Sequence, residues 1–357
     1  MPSRLFRNLC LALVVCLASS LVAGGDDAAA SGDVLRPIEA GKKWGYVDGK
    51  GVVAIEPQFR DAGEFHDGRA AVNVDGKWGY IDEKGQVAVA AEYSEAGAFV
   101  DGVAVVEKKD GKTKLARMID TSGKVLVEIE ATKDRQPRES APGGWWMVRE
   151  KGDGPPRHVF LGRDGARLEG EWRDAQPFSE GLAAVGAYRR NESSGTDMQV
   201  WSYIGTDGKV ALEGGWYRAG RFSDGRAFVE HHETGRRFID KEGKTLFELK
   251  MPMNDIRPFS EGMAAFQGTE ARWGFIDATG KVVIEPTFES VGDFHDGRAT
   301  FDNGGRMGFL DKEGKEHIAG KEWRLDDFLG GLARFRNADR SWGYIDVEGK
   351  EVWAAKR

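Results

Sequence analysis

A five-residue phrase that returns nine times limits this chain more than any other feature. It reads apolar-Asp-x-x-Gly, with Gly for Asp in two copies. The copies run Val47-Asp48 to Gly51, Ile81-Asp82 to Gly85, Ile119-Asp120 to Gly123, Leu161-Gly162 to Gly165, Ile204-Gly205 to Gly208, Ile239-Asp240 to Gly243, Ile276-Asp277 to Gly280, Leu310-Asp311 to Gly314 and Ile345-Asp346 to Gly349. Successive closing glycines lie 34, 38, 42, 43, 35, 37, 34 and 35 residues apart. A period in this range marks one small structural unit copied along the chain. Copies that touch only their neighbours form one continuous array, so the 357 residues read as one repeat domain and not as two or three independent ones.

Residues 273–301 give the clearest copy. Trp273-Gly274-Phe275-Ile276 is aromatic and β-branched, which suits a strand. Asp277 opens a turn by bonding its own backbone, and Gly280 closes it with φ > 0, the chemistry of a type I turn with a bulge. Lys281 to Ile284 returns as a second strand, and Pro286 ends it. A second phrase follows, Phe-x-x-Gly-x-Ala-x-Val/Phe, seen from Phe65, Phe99, Phe178, Phe222, Phe259, Phe294 and Phe328. Its Ala and Val/Phe are two apart and share one strand face. Ala in seven copies implies a place with no room for more, and the Phe reads as a plug between units. The glycine after Trp44, Trp78, Trp273 and Trp342 implies that a ring or backbone lies against a bare Cα. These tryptophans read first as a ladder in the core; a row of exposed indoles stacking on sugars is the functional alternative.

Each repeat thus offers three short strands, and no helical period is evident after the N-terminus. A four-stranded propeller blade usually takes about 40 residues or more, and the short copies have 34 or 35. The expected fold is all-β: about nine three-stranded antiparallel units in an open, twisted, solenoid-like array. The alternative is a closed propeller-like ring.

Residues 1–24 read as a secretory signal peptide. Arg4 and Arg7 precede an apolar run, Leu9 to Ala23, and small residues follow at Ala23, Gly24 and Gly25. The run is short for a membrane span, and Val15-Cys16 lacks the small residue that precedes a lipidated cysteine. Residues 25–33 read as a flexible linker and 34–357 as the array. Loop insertions are expected around 131–144, 151–157 and 188–199, where Pro, Gly, Arg, Glu and Ser gather. Insertions on repeats tend to collect on a binding face. The reading is of an exported protein, periplasmic or secreted. Its mature chain has no membrane span, no cysteine once Cys10 and Cys16 are removed, and no thiolate chemistry. Without Arg4 and Arg7 the balance is 49 basic against 58 acidic residues, a net charge of −9 that disfavours nucleic acid as a partner.

Catalytic signatures are missing. There is no G-x-S-x-G elbow, no phosphate-binding loop and no H-E-x-x-H. The Asp-x-x-Gly turns lack the alternating ligands and closing Glu of a calcium loop. His66 and His295 share one slot that holds Ser, Val or Leu elsewhere, so both are expected to face solvent. His231-His232-Glu233 is the one dense cluster, and adjacent strand histidines point apart unless a loop holds them. Asn191-Glu192-Ser193 is a formal glycosylation triplet. No catalytic, cofactor or metal residues are assigned, and no cofactor is expected.

The phrases Trp78-Gly79-Tyr80-Ile81-Asp82, Trp273-Gly274-Phe275-Ile276-Asp277 and Trp342-Gly343-Tyr344-Ile345-Asp346 resemble the WG-repeat family of bacterial β-repeat proteins. So do Phe178-Ser179-Glu180-Gly181-Leu182-Ala183 and Phe259-Ser260-Glu261-Gly262-Met263-Ala264. The resemblance covers nearly all of 34–357 and implies an all-β array with a binding or scaffold role and no catalytic residues. Arg117-Met118, Val159-Phe160-Leu161-Gly162 and Arg236-Arg237 depart from the pattern by lacking Trp-Gly. The expected function is therefore a non-enzymatic module that binds another protein or serves as a scaffold. A carbohydrate or cell-wall binder is the first alternative, and a hydrolase using two carboxylates the second.

Overall fold

The computed structural model describes residues 34–141, 143–152, 154–168, 170, 172–190, 195–319, 324–339 and 341–355. The signal peptide, the linker up to residue 33 and the Asn191-Glu192-Ser193 triplet lie outside them. The described residues form nine antiparallel sheets and no helix. The sheets span 36–59, 61–93, 95–130, 135–168, 174–216, 218–248, 255–288, 290–319 and 324–354, and are called blades 1 to 9. Each is a simple meander with sequential strands as neighbours.

Two expectations are corrected here: the units are not three-stranded and the array is not open. Blades 2 to 9 have four strands; blade 1 has three among the described residues. The extra strand opens the blade and in six blades is only two residues long, as in Glu95–Ala96, Asp174–Ala175, Arg218–Ala219, Asp255–Ile256, Ser290–Val291 and Arg324–Leu325. A two-residue strand cannot show alternation. It also lets four strands fit a period of 34 residues.

The ring closes where blade 9 meets blade 1. Trp44 and Trp342 stack with centroids 5.9 Å apart. Ile38, Val47, Leu332 and Tyr344 form one buried cluster, with Trp342, Val352 and Trp353 packed against it. The Tyr344 hydroxyl donates to the Pro37 carbonyl at 2.9 Å. The same bond joins other neighbours, from Tyr46 to Gly63 (2.9 Å) and from Tyr80 to Gly97 (2.7 Å). Closure follows from what an open array would expose: its end units need polar outer faces, and here both ends are apolar. Arg36 completes the seam. It is 4% exposed, lies 5.3 Å from the Tyr344 ring centre, and pairs with Glu64 of blade 2 at 3.2 Å. Burial pushes the Glu64 carboxyl up despite that cation. Tyr344→Phe is expected to lower stability by about 1 kcal/mol, the net worth of a typical hydrogen bond, measured as the urea midpoint of the full chain.

The two recurring phrases meet at every regular joint. The aromatic residue two places before the turn aspartate or glycine, third in Trp-Gly-Tyr/Phe where that phrase is present, packs against the Phe of the next blade: Tyr46–Phe65, Tyr80–Phe99, Phe160–Phe178, Tyr203–Phe222, Phe238–Phe259 and Phe275–Phe294 edge-on with centroids 4.7–4.9 Å apart, and Phe309–Phe328 tilted at 4.4 Å. Such pairs contribute about 0.5–1.5 kcal/mol each beyond area burial. The alanine of the second phrase lies under these rings. Ala70, Ala104, Ala183, Ala264, Ala299 and Ala333 have no exposed surface and Ala227 has 1%. The Phe therefore is the plug its position implies.

The Asp-x-x-Gly turns form as their chemistry dictates. Asp277 Oδ1 accepts from the N–H groups of Thr279 and Lys281, and the Gly280 N–H donates to the Asp277 carbonyl, with φ 84° at Gly280. Where Gly162 and Gly205 replace the aspartate, Asp164 and Asp207 two residues later accept the backbone bonds instead. Hydroxyl bonds from Ser122 and Thr279 hold the Asp120 and Asp277 carboxyls below their ordinary range. A carboxyl depressed on folding stabilises the fold above its unfolded value, about 3.9, and that share is lost as pH falls through the folded value. The urea midpoint is expected to fall between pH 5 and pH 2, and to fall less in a double variant with Asp120→Asn and Asp277→Asn.

Candidate functional site

The first strands of neighbouring blades bond to one another, which places them around the axis of the ring. Gln176 Nε2 of blade 5 donates to the Ala219 carbonyl of blade 6 at 2.9 Å, and Arg257 Nη1 of blade 7 to the Val291 carbonyl of blade 8 at 2.8 Å. Ser179, Ser223 and Ser260 donate their hydroxyls to Phe222, Phe259 and Phe294 one blade on, at 2.6–2.7 Å. The inner wall is thus made of short first strands and the residues that lead into each Phe.

On one face of the ring the turns between first and second strands make a belt. Asp67, Asp101, Glu180, Asp224, Glu261 and Asp296 have φ of 49–52° and are each followed by a glycine with φ above 60°. That is the mirror-image turn suited to two-residue hairpins. Each carboxylate accepts from the turn N–H of the next blade: Gly102 to Asp67 and Gly262 to Asp224 at 2.7 Å, Gly143 to Asp101 at 2.5 Å, Gly225 to Glu180 at 3.1 Å, Gly297 to Glu261 at 2.9 Å, Gly331 to Asp296 at 2.8 Å. These acids are therefore committed to holding blades together. Nothing in the one-dimensional pattern links a carboxylate to an amide one period away, so the belt was missed in the sequence.

A meander puts its second-to-third turns and its exits to the next blade on the opposite face. The expected insertions map there on neighbouring blades. Residues 131–134 leave blade 3, 151–157 join the middle strands of blade 4, and 188–199 extend those of blade 5 into Leu182–Arg190 and Asp197–Gly205. The expected loop 131–144 is in large part a strand, Arg135–Ala141, because blade 4 needs its first strand.

Three clefts line this architecture. The first, about 230 Å³, opens on the inner wall across blades 5, 6 and 7 and is lined by Gln176, Trp201, Arg218, Ala219, Gly220, Arg221, Phe228, Ile256, Arg257 and Pro258. Arg218 pairs with Asp255 at 3.0 Å and approaches Glu230 at 3.9 Å. Burial alone would raise the Glu230 carboxyl, but bonds from Arg236 and Tyr217 outweigh it and hold it low. Arg257 pairs with Asp293 at 3.5 Å and covers Trp273, 4.4 Å from the ring centre. Arg221 is exposed and makes no hydrogen bond or ion pair among the described residues. The second cleft, about 490 Å³ across blades 7 to 9, is acidic, with Asp302, Asp326 and Asp327 in its wall, and the Thr300 hydroxyl donates to Asp327 at 2.8 Å. The third, in blade 4, is occupied by its own ions: Glu150 sits between Arg135 and Arg167, and the Arg167 bond holds its carboxyl low.

The tryptophans occupy joints. Trp44, Trp78, Trp145, Trp172, Trp201, Trp273, Trp342 and Trp353 are half-buried, and Trp146 and Trp216 buried; no described tryptophan is exposed. Of these, Trp201 also lines the first cleft. His66 and His295 are exposed, as their variable slot implies. The His231 and His232 rings lie tilted with centroids 4.8 Å apart, where the strand ends at His231 and the turn begins. Among the described residues no group of three or more His, Cys, Asp or Glu side chains could hold a metal ion. No helix among them is long and apolar enough to cross a membrane.

The WG containing repeat model matches this chain at residues 44–78, 78–112, 201–233 and 273–306. Those four copies lie in blades 1 to 3, 5 to 6 and 7 to 8, and each runs from the strand that precedes the Asp-x-x-Gly turn of one blade through the second strand of the next. No curated protein matches the sequence. Among solved structures, the crystal structure of a eukaryotic initiation factor is similar, with TM-score 0.61 and 12% identity over 91% of this chain and 96% of that one. BamB from Moraxella catarrhalis aligns with TM-score 0.38 and 13% identity over 85% and 94%. At such identity the first likeness concerns the fold alone.

Proposed function

We propose that this member of the WG-repeat family is an exported, non-enzymatic binding module that takes a saccharide segment in the inner-wall cleft of blades 5 to 7. The WG containing repeats and the closed ring of β-sheets support a binding or scaffold role. One observation carries the saccharide reading. Among the three clefts, the first alone places an indole, Trp201, beside a guanidinium that no described residue engages, Arg221, with the Phe228 ring beneath Arg218 in the same wall. Apolar ring faces beside planar donors are what a sugar needs, because one side of its ring is aliphatic and its rim is polar. At about 230 Å³ the cleft is below the roughly 300–1,000 Å³ of drug-sized pockets, which suits a single residue of a longer chain.

The test is retention of the full chain on immobilised polysaccharide from the host envelope, with elution by the soluble polysaccharide. Passage without retention would remove the reading. A second reading, a protein partner, is favoured by the three insertions on one face of neighbouring blades. Shortening 188–199 is then expected to abolish capture of that partner while leaving polysaccharide retention unchanged.

A further inference from the structure

We infer that the ligand of the cleft is acidic: a uronic acid residue, whose carboxylate is held by Arg221 while its ring rests against Trp201. The inference rests on the saccharide reading and adds a charge to it. The chain is acidic overall, with a net charge of −7, yet blades 6 and 7 present Arg218, Arg221 and Arg257 to one cleft. Two of these are bound by the protein itself. Arg218 is engaged by Asp255, and Arg257 by the Val291 carbonyl, Asp293 and Trp273. Arg221 is the fork left over. A guanidinium presents parallel N–H groups that match a planar carboxylate, and charge-assisted bonds of this kind are roughly twice as strong as neutral ones. A cation without an anion, beside an indole, is complementary to a ring that carries a carboxylate.

The neighbouring cleft supplies the contrast. Its wall carries Asp302, Asp326 and Asp327 against one cation, Arg257, which it shares with the first cleft and which Asp293 engages; even with Asp326 paired to Arg334, a uronate placed there meets net like charge. Of the two adjacent clefts, the one across blades 5 to 7 therefore suits an acidic sugar better, because it alone offers an unengaged guanidinium beside aromatic side chains.

Calorimetric titration of the full chain with α-1,4-linked trigalacturonate, neutral trigalactose and sodium acetate tests this. Trigalacturonate is expected to bind at least tenfold more tightly than trigalactose, with an affinity that falls as salt rises. Arg221→Ala should remove that advantage and Arg221→Glu should reverse it; Arg221 is exposed, so neither variant endangers folding. Equal binding of the two trisaccharides, unchanged by Arg221→Ala, would overturn the acidic ligand and leave the saccharide reading standing. Binding of neither would end both. Acetate binding as tightly as trigalacturonate would overturn the inference in favour of a bare anion site.

Discussion

Replacing Gly79 by alanine is expected to destabilise the ring by about 3 kcal/mol, at or beyond the upper end of ordinary overpacking. An added Cβ would lie 2.6 Å from the Val89 carbonyl oxygen and 2.7 Å from the Ala91 nitrogen. Both are backbone atoms, so no side-chain rotation relieves the clash. The close approach has a visible cause. Trp78 pairs with Tyr93 and Tyr80 with Val89, so a step of two residues on the third strand faces a step of four on the last, and the last strand bulges onto the bare Cα. Blade 1 repeats this, with Trp44 on Phe59 and Tyr46 on Ile55, and blade 7 does so with Trp273 on Phe288 and Phe275 on Ile284. The departures from Trp-Gly support the same logic. In blade 3 Arg117 stands in the glycine's place and pairs with Glu128 in unbroken register. In blade 6 Arg237 does so with Glu248. Blade 5 keeps the bulge opposite Ser202 and places the glycines, Gly214 and Gly215, on the bulged strand instead. Gly49 has open space around it and is the control: Gly49→Ala should change the urea midpoint little. Equal midpoints for the two variants would refute the bulge argument.

What was legible in the sequence is what neighbours along the chain decide. The Asp-x-x-Gly turn, the strand after it, the buried alanine and the plugging Phe are each written within about eight residues, and each forms as read. The bare Cα of the Trp-Gly glycine was legible too, although only the register says that in blades 1, 2 and 7 a bulged backbone covers it, while Gly343 of blade 9 pairs in continuous register with Ala354. The ring was not legible. Its seam joins Tyr344 to Pro37, 307 residues apart, and its added strands are two residues long. Nothing local distinguishes a module with one free end from a module whose next neighbour is the first. The cleft was hidden for the same reason: Trp201, Arg221 and Pro258 come from three different blades. The solitary state of Arg221 is a fact about which carboxylates fold near it, and the sequence around it, Gly220-Arg221-Phe222, does not record that.

Trp146→Ala is expected to have the largest effect of any single change considered, about 3–5 kcal/mol, the usual range for truncating a fully buried tryptophan. Trp146 has no exposed surface, and it stands where seven other blades have alanine. The register shows why one position holds both extremes of size. In blade 2 the second-strand Ala70 pairs with Phe65 of the first strand, and the preceding blade presents Tyr46. In blade 4 Trp146 pairs with Ser140, and the preceding blade presents Met118. Two rings have gone from this joint and one larger ring has entered from the other strand. The volume between blades is held nearly constant while its source moves, as tight packing requires. The converse change should therefore also destabilise. Ala104→Trp would drive an indole into a joint that Tyr80 and Phe99 already fill, 4.7 Å apart, at a cost of about 1–3 kcal/mol. Urea midpoints and near-ultraviolet circular dichroism measure both. If Trp146→Ala came within about 1 kcal/mol of the parent, the joint between blades 3 and 4 would have to be filled by something other than this indole, and exchange of ring between strands would lose its support.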